Sequence, residues 1–382
     1  MSISNSINRG VHPLMVHRVH RFYNKKMSII AKQRPDLFRP VDAETTRKHM
    51  ALWGRLGMSC SDRWLRLLTN ISGIADYRYC PDDLYYAVIE RVLNDCDGIT
   101  KILDDKNMLG KFVSACNRPR TILRFMRGEY FDDEYNWLSP RDAKELLVTD
   151  KGPVIAKKAV DSLGGHDVVA YSFVNGHYID NKGVSLTLEK MGENGPSFLV
   201  QERVQQCEFS AQFNPHSANT CRMISLRKPW SGECRVVAAG MRFGVTDAVI
   251  DNMSSGGICV AVGPNGELSH QAVGNWCSGK PLDVHPTTGI RFGGQTHPYY
   301  RKMCEVACRY HASIPNVNLL SWDMIVDVDG MVRILEVNSK SQGIDWPQFD
   351  FGSLFGEDTE AIVEWCVRHK ENDRFSHFRT WF

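Results

Sequence analysis

Residues 321–338, SWDMIVDVDGMVRILEVN, constrain the fold more than any other stretch of the chain. Two runs of alternating apolar residues flank Asp329-Gly330, a pair favoured in two-residue hairpin turns. Positions equidistant from that turn pair across the ladder, which sets Asp323 opposite Glu336. The period of two puts Glu336 and Asn338 on one face. Two carboxylates and an amide oxygen therefore converge near the open end of the hairpin, where like charges facing each other are destabilising without a cation. Hard oxygen ligands in this number suit Mg²⁺, which keeps several waters and shares substrate phosphates. The apolar neighbours predict that this face is enclosed rather than solvated.

The hairpin lies in a sheet-rich half. From about residue 150 the chain shows β-branched runs separated by turns, among them PVIAKK, DVVAYSFV, SFLVQERV, TCRMISL, CRVVAAGMRFG and GICVAVG. Residues 1–100 differ. Trp64, Leu65, Leu67, Leu68 and then Tyr86, Val88, Ile89, Val92, Leu93 recur at nearly helical spacing. Two more helices are expected around Tyr299 to Tyr310 and Asp358 to Lys370. The reading is an α+β chain with a mainly helical N-terminal module (1–100), a second unit (101–198) ending at the turn-rich MGENGPS, and a third (199–382) carrying the hairpin.

Composition excludes several classes. The 382 residues are 43% hydrophobic and 24% charged with a net charge of +2, so there is no basic excess of the kind nucleic-acid binding needs. Twelve cysteines without a CxxC pair read as reduced thiols of a cytoplasmic protein, with Cys304 and Cys308 as helix cysteines rather than metal ligands. No apolar run is long enough to span a bilayer, and the start lacks a signal-peptide pattern. Before Asp36, however, Arg9, Arg18, Arg21, Lys25, Lys26, Lys32 and Arg34 meet no acidic residue and interleave with Val16, Val19, Phe22 and Tyr23. That pattern allows peripheral contact with the inner face of a membrane. His17 and His20, on the same stretch, read as surface histidines.

The D…E-x-N ending of the hairpin resembles the metal-binding signature of the ATP-grasp superfamily. DDKNMLGKF, VIAKK, FLVQERV, SANTCRMISL, MRFG with DNMSSGGI, and HPTTG, taken in order over residues 100 to 345, resemble its sugar-transfer-associated branch, which is similar to α-L-glutamate ligases. The resemblance implies an ATP-grasp fold, two α+β subdomains clamping ATP, behind the helical module. It implies Asp323, Glu336 and Asn338 as ligands of Mg²⁺, or of Mn²⁺ in its place. It casts Lys106 and Lys157 as phosphate or adenine-side lysines, and Gly164 and Gly165 as part of a phosphate-covering loop. Gln201, Glu202 and Val204 become the adenine hinge, and Glu208 a ribose contact.

By the same resemblance Arg222 clamps the γ-phosphate or an acyl-phosphate, a task that guanidinium geometry suits. Arg242, Asn252, Gly256 and Gly257 line the substrate side, and His285 orients substrate or accepts a proton. The implied activity is an ADP-forming carboxylate–amine ligase joining small-molecule or glycan-linked substrates in surface polysaccharide synthesis. A phosphotransferase on the same fold and a non-catalytic nucleotide-binding regulator are the alternatives. After Asn338, Ser339-Lys340-Ser341-Gln342-Gly343 departs from the proline-glycine continuation of many ligases.

Overall fold

A computed structural model describes residues 3–94, 97–160, 168–193, 195–246, 251, 253–274 and 281–370. The helical N-terminal part opens with α1 (Ile3–Gln33), whose Val19, Met27 and Ile30 are buried. Next comes α2 (Ala43–Gly54), capped by the Asp42 carboxylate accepting from the Thr45 N–H. Then α3 (Arg63–Ser72) buries Trp64, Leu65, Leu67 and Leu68, and ends at Gly73 in the left-handed conformation that a glycine C-cap supplies. In α4 (residues 82–93) regular turns flank one wider turn over Tyr85–Ile89. A short α5 (Asp97–Leu103) leads into the sheets.

The first sheet contains β1 (Thr121–Met126), β2 (Glu129–Phe131), β3 (Trp137–Leu138), β4 (Val154–Lys158), β5 (Val168–Val174), β6 (His177–Asp180) and β7 (Ser197–Glu202). Their order is β3-β2-β1-β7-β4-β5-β6, antiparallel throughout. Alternation divides β4. Val154 and Ala156 enter an apolar core with Ala143 and Leu147 of α6 (Pro140–Thr149), while Ile155 and Lys157 take the other face.

The second sheet holds β8 (Cys221–Arg227), β9 (Cys234–Phe243), β10 (Ile258–Val262), β11 (Leu268–Val273), β12 (Leu319–Val326) and β13 (Val332–Asn338), ordered β11-β10-β9-β8-β12-β13. One face packs Met223, Met241, Val260, Trp322 and Met324 against α7 (Tyr300–Ala312). The opposite face is split along its strands. At one end Ile224, Leu226 and Leu319 share a core with α4 and with α8 (Thr359–His369). At the other end the same face carries Arg222 and Asp323, which pair across the ladder. Two helices therefore occupy nearly the positions that periodicity predicts for them, at 300–312 and 359–369.

The hairpin reaches its expected pairing by an unexpected route. Asp323 does face Glu336, but Val326 pairs Val332, and the Asp327 N–H meets the Met331 carbonyl at 2.9 Å. The loop is thus Val328–Gly330, one residue longer than the two-residue turn, with Gly330 at φ +72°. The register shifts between Asp323 and Met324, leaving Leu335 as the extra residue of β13, and this bulge restores the Asp323–Glu336 pair. It is required because Val332 and Ile334 point to the core before it and Val337 after it.

Candidate active site

Cross-strand pairing collects the charged end of the second sheet. Arg222 pairs Asp323 and also Gly240, Arg242 follows two residues after Gly240, and Ser321 pairs Asn338, so Arg222, Arg242, Asp323, Glu336 and Asn338 share one face. The Arg222 guanidinium grips the Asp323 carboxylate with two bonds of 2.8 Å, and the Arg242 Nη2 approaches the Asp323 Oδ2 at 3.1 Å. Burial alone would raise the Asp323 carboxyl. The two guanidiniums outweigh it and hold that carboxyl far below the usual carboxylate range.

Arg242 is held in turn. Its Nε and Nη2 donate to the Thr220 Oγ1 at 3.1 and 2.8 Å, and the Thr220 N–H donates to the Asp251 Oδ2 at 2.7 Å. The Asp251 Oδ1 lies 3.6 Å from the Arg242 Nη2. Thr220 and Asp251 escape a sequence reading, although Thr220 stands two residues before Arg222 in the NTCR segment.

The first sheet contributes the lysines. Lys157 reaches across to the carbonyl of Leu335, the bulged residue, at 3.3 Å. Burial, and then the neighbouring Lys106 ammonium, press Lys157 down to about 8. Lys106 forms an ion pair with the Glu336 Oε1 at 3.1 Å. Its own segment is tied to both sheets. The Lys106 N–H donates to the Ala159 carbonyl, and the Asn107 side chain donates to the Ser197 Oγ. Asp104 accepts the Ser339 N–H and hydroxyl, both at 2.8 Å. Asp104 and Ser339 thus fasten the lysine to the residue after Asn338, a link that no local pattern reveals.

Four cationic side chains (Lys106, Lys157, Arg222, Arg242) meet three carboxylates (Asp251, Asp323, Glu336) in this junction. The set is matched to a ligand that brings both negative charge and a cation. The Asn338 Nδ2 is buried without a hydrogen-bond partner among the described residues, and a half-turn of the amide puts Oδ1 in its place as a cation ligand. Glu336 stands opposite Asp323, so Glu336, Asn338 and Asp323 form a fitting oxygen set for Mg²⁺. Here both Asp323 oxygens face guanidiniums, Oδ1 that of Arg222 and Oδ2 those of Arg222 and Arg242.

The remaining expected residues are spread more widely. Gln201 shares the face of Lys157 and Ile155 on the first sheet and donates to the Thr121 Oγ1 at 3.2 Å. Glu202 is engaged with Arg120, accepting its N–H at 2.9 Å. Val204 lies half-buried in the connection to the second sheet, where the Gln205 carbonyl and Cys207 N–H bond to the hairpin. Glu208 is exposed at the start of a short helix, Glu208–Ala211. Gly256 and Gly257 lead into β10, with Gly256 at φ +93°. Gly164, Gly165 and Asn252 lie outside the described residues.

His285 is tied into its own loop and to Gly244. Its Nε2 meets the Gly244 carbonyl at 3.1 Å, its Nδ1 accepts the Thr287 N–H at 3.3 Å, and its ring packs among Phe213, Phe243 and Phe292. Both nitrogens are engaged within the fold, and burial lowers its pKa.

Among solved structures the chain is similar to an L-amino acid ligase from Bacillus licheniformis (12% identity, 70% of this chain and 48% of that one, TM-score 0.38). It is also similar to an N5-carboxyaminoimidazole ribonucleotide synthetase from Thermotoga maritima (12%, 65% and 47%, 0.33) and a biotin carboxylase from Campylobacter jejuni (10%, 70% and 46%, 0.42). It spans about half the length of each. No curated protein matches it. A family model does, over residues 91–362, and by that match the chain belongs to the sugar-transfer-associated ATP-grasp family.

Proposed function

We propose that this protein is an ATP-dependent carboxylate–amine ligase acting through an acyl-phosphate. The observation that carries the reading is the junction itself. Lys157 and Lys106 from one side meet Glu336 and the bulged strand β13 from the other, beside the Arg222–Asp323–Arg242 cluster. Such a clamp supplies what phosphoryl transfer asks of a protein, positioning and charge stabilisation.

In this reading Lys106 and Lys157 bind phosphate oxygens as point charges, and an arriving phosphate keeps Lys157 protonated. Arg222 releases one side of Asp323 to grip the γ-phosphate in bidentate fashion. Arg242, fixed by Thr220 and Asp251, stays as the counter-charge of Asp323. Mg²⁺, when bound by Glu336, Asn338 and Asp323, neutralises phosphate oxygens and orients them. A substrate carboxylate oxygen attacks the γ-phosphorus as ADP leaves. An amine nitrogen then attacks the acyl carbon, phosphate departs, and the amine loses a proton. The family's association with sugar transfer supports a sugar acid as the carboxylate and an amino acid or other amine as its partner, in surface polysaccharide synthesis.

The test incubates the protein with ATP and Mg²⁺ against a panel of uronic acids and amino acids, following ADP, phosphate and amide by mass spectrometry. The expected result is an amide formed with ADP and slowed about 100-fold or more in Glu336→Ala. A phosphorylated acceptor without amide overturns the ligase in favour of a phosphotransferase. Nucleotide binding without turnover of any acceptor favours a regulator.

A further inference from the structure

Helix α1 is amphipathic in an unusual sense, because its outward face is not merely polar. Val19, Tyr23, Met27 and Ile30 turn inward onto two apolar cores. Arg18, Arg21, Phe22, Lys25, Ile29 and Lys32 are all exposed, and at 3.6 residues per turn they fall within about 100° of arc. Phe22 is 64% and Ile29 49% exposed, two turns apart on the same stripe. Arg63, also exposed, adds a charge beside it, its Nη1 donating to the Ser28 Oγ. No acidic residue occurs before Asp36, which is paired to Arg34.

Other large apolar side chains are exposed too, Trp137 and Val328 among them, but Phe22 and Ile29 stand in one stripe with four cations. We propose that this stripe docks the protein onto an anionic lipid bilayer, α1 lying flat with its cations at headgroup phosphates and Phe22 and Ile29 entering the interface. The complementarity is specific. The cations match a negatively charged leaflet, and the intervening apolar prongs match its acyl boundary, which a dissolved polyanion does not offer. Because the inward face of α1 is packed into the body, docking leaves the fold intact. It holds the ATP-grasp site beside substrates carried at a membrane surface.

The test is co-sedimentation of the full chain with vesicles of mixed phosphatidylglycerol and phosphatidylcholine, against vesicles of phosphatidylcholine alone. Binding is expected to the mixed vesicles only, with loss at high salt. Arg21→Glu/Lys25→Glu is expected to lower partitioning about tenfold or more, and Phe22→Ser/Ile29→Ser to lower it at fixed charge. Thermal midpoints should stay unchanged in both, since all four side chains are outside the core. Absence of binding to mixed vesicles, equal binding to neutral ones, or indifference to both double substitutions overturns the proposal. So does tighter binding to single-stranded RNA than to the mixed vesicles, which would assign the stripe to a polyanion.

Discussion

At the scale of single residues, two buried carboxyl groups handle their charge in opposite ways, and each predicts a phenotype. Asp323→Asn leaves Arg222 and Arg242 without their shared carboxylate and is expected to cost about 3–5 kcal/mol, read from denaturant midpoints. Glu90 in α4 is the opposite case. Burial raises its carboxyl from the ordinary 4.5 to about 8, against the Gln342 N–H and Tyr85 hydroxyl that favour its charge. Folded protein therefore keeps a proton on Glu90 that the unfolded chain has lost, and the Glu90 contribution to stability falls as pH rises from 4.5 to about 8. Glu90→Gln retains shape and should flatten that slope. The difference between wild type and variant, compared at about pH 5 and about pH 8.5, is expected on the order of 2–4 kcal/mol. An equal slope in both would show that Glu90 is ionised in the fold. His285→Ala should reduce stability by roughly 2 kcal/mol while ATP affinity, measured by calorimetry, holds. That Asp323, Glu336 and Asn338 share one face was legible because their spacing along one hairpin is covalent arithmetic. The contacts of His285 were not, because the carbonyl at its Nε2 belongs to Gly244, which only the tertiary fold brings near.

At the scale of elements, the β12–β13 hairpin shows how a correct pairing can rest on a wrong turn. The bulge was encoded: apolar residues at 332, 334 and 337 break the period of two once, between Ile334 and Val337. A reading anchored on Asp329-Gly330 passes over that break. The bulge also has a task, since its carbonyl is the one Lys157 meets. Deleting Leu335 joins Ile334 directly to Glu336, keeping Glu336 opposite Asp323 and outside the core, but withdraws that carbonyl. The expected outcome is a protein that folds with little loss of stability and binds ATP roughly 10-fold more weakly, about 1.4 kcal/mol by calorimetry. Unchanged ATP affinity would separate the bulge from the nucleotide site.

At the scale of the whole molecule, the helical N-terminal part reads from sequence as a module in front of an ATP-grasp unit, because periodicity reports where helices are and not what they cover. In the structure it is the lid of the second sheet. Leu84, Tyr85, Val88, Ile89 and Val92 share one core with Ile224, Leu226, Leu319, Ile362 and Val363. Asn94 adds a polar seam. Its Oδ1 accepts the Asn318 and Leu319 N–H groups, and its Nδ2 donates to the Leu319 and Ser339 carbonyls at 2.7 Å each. Those bonds fix the start of β12 and the residue after Asn338, so the helical part sets the geometry of β12 and β13 from behind. A chain beginning at residue 97 would bare much of the apolar half of that sheet face and take the Asn94 donor from the Ser339 carbonyl. It is expected to aggregate on expression, whereas the full chain should lose its helical part and second sheet in one calorimetric transition. A soluble, cooperatively folding truncation that still binds ATP would show instead that the sheet closes without its helices, and that their contacts to Ser339 and Gln342 are dispensable to the site.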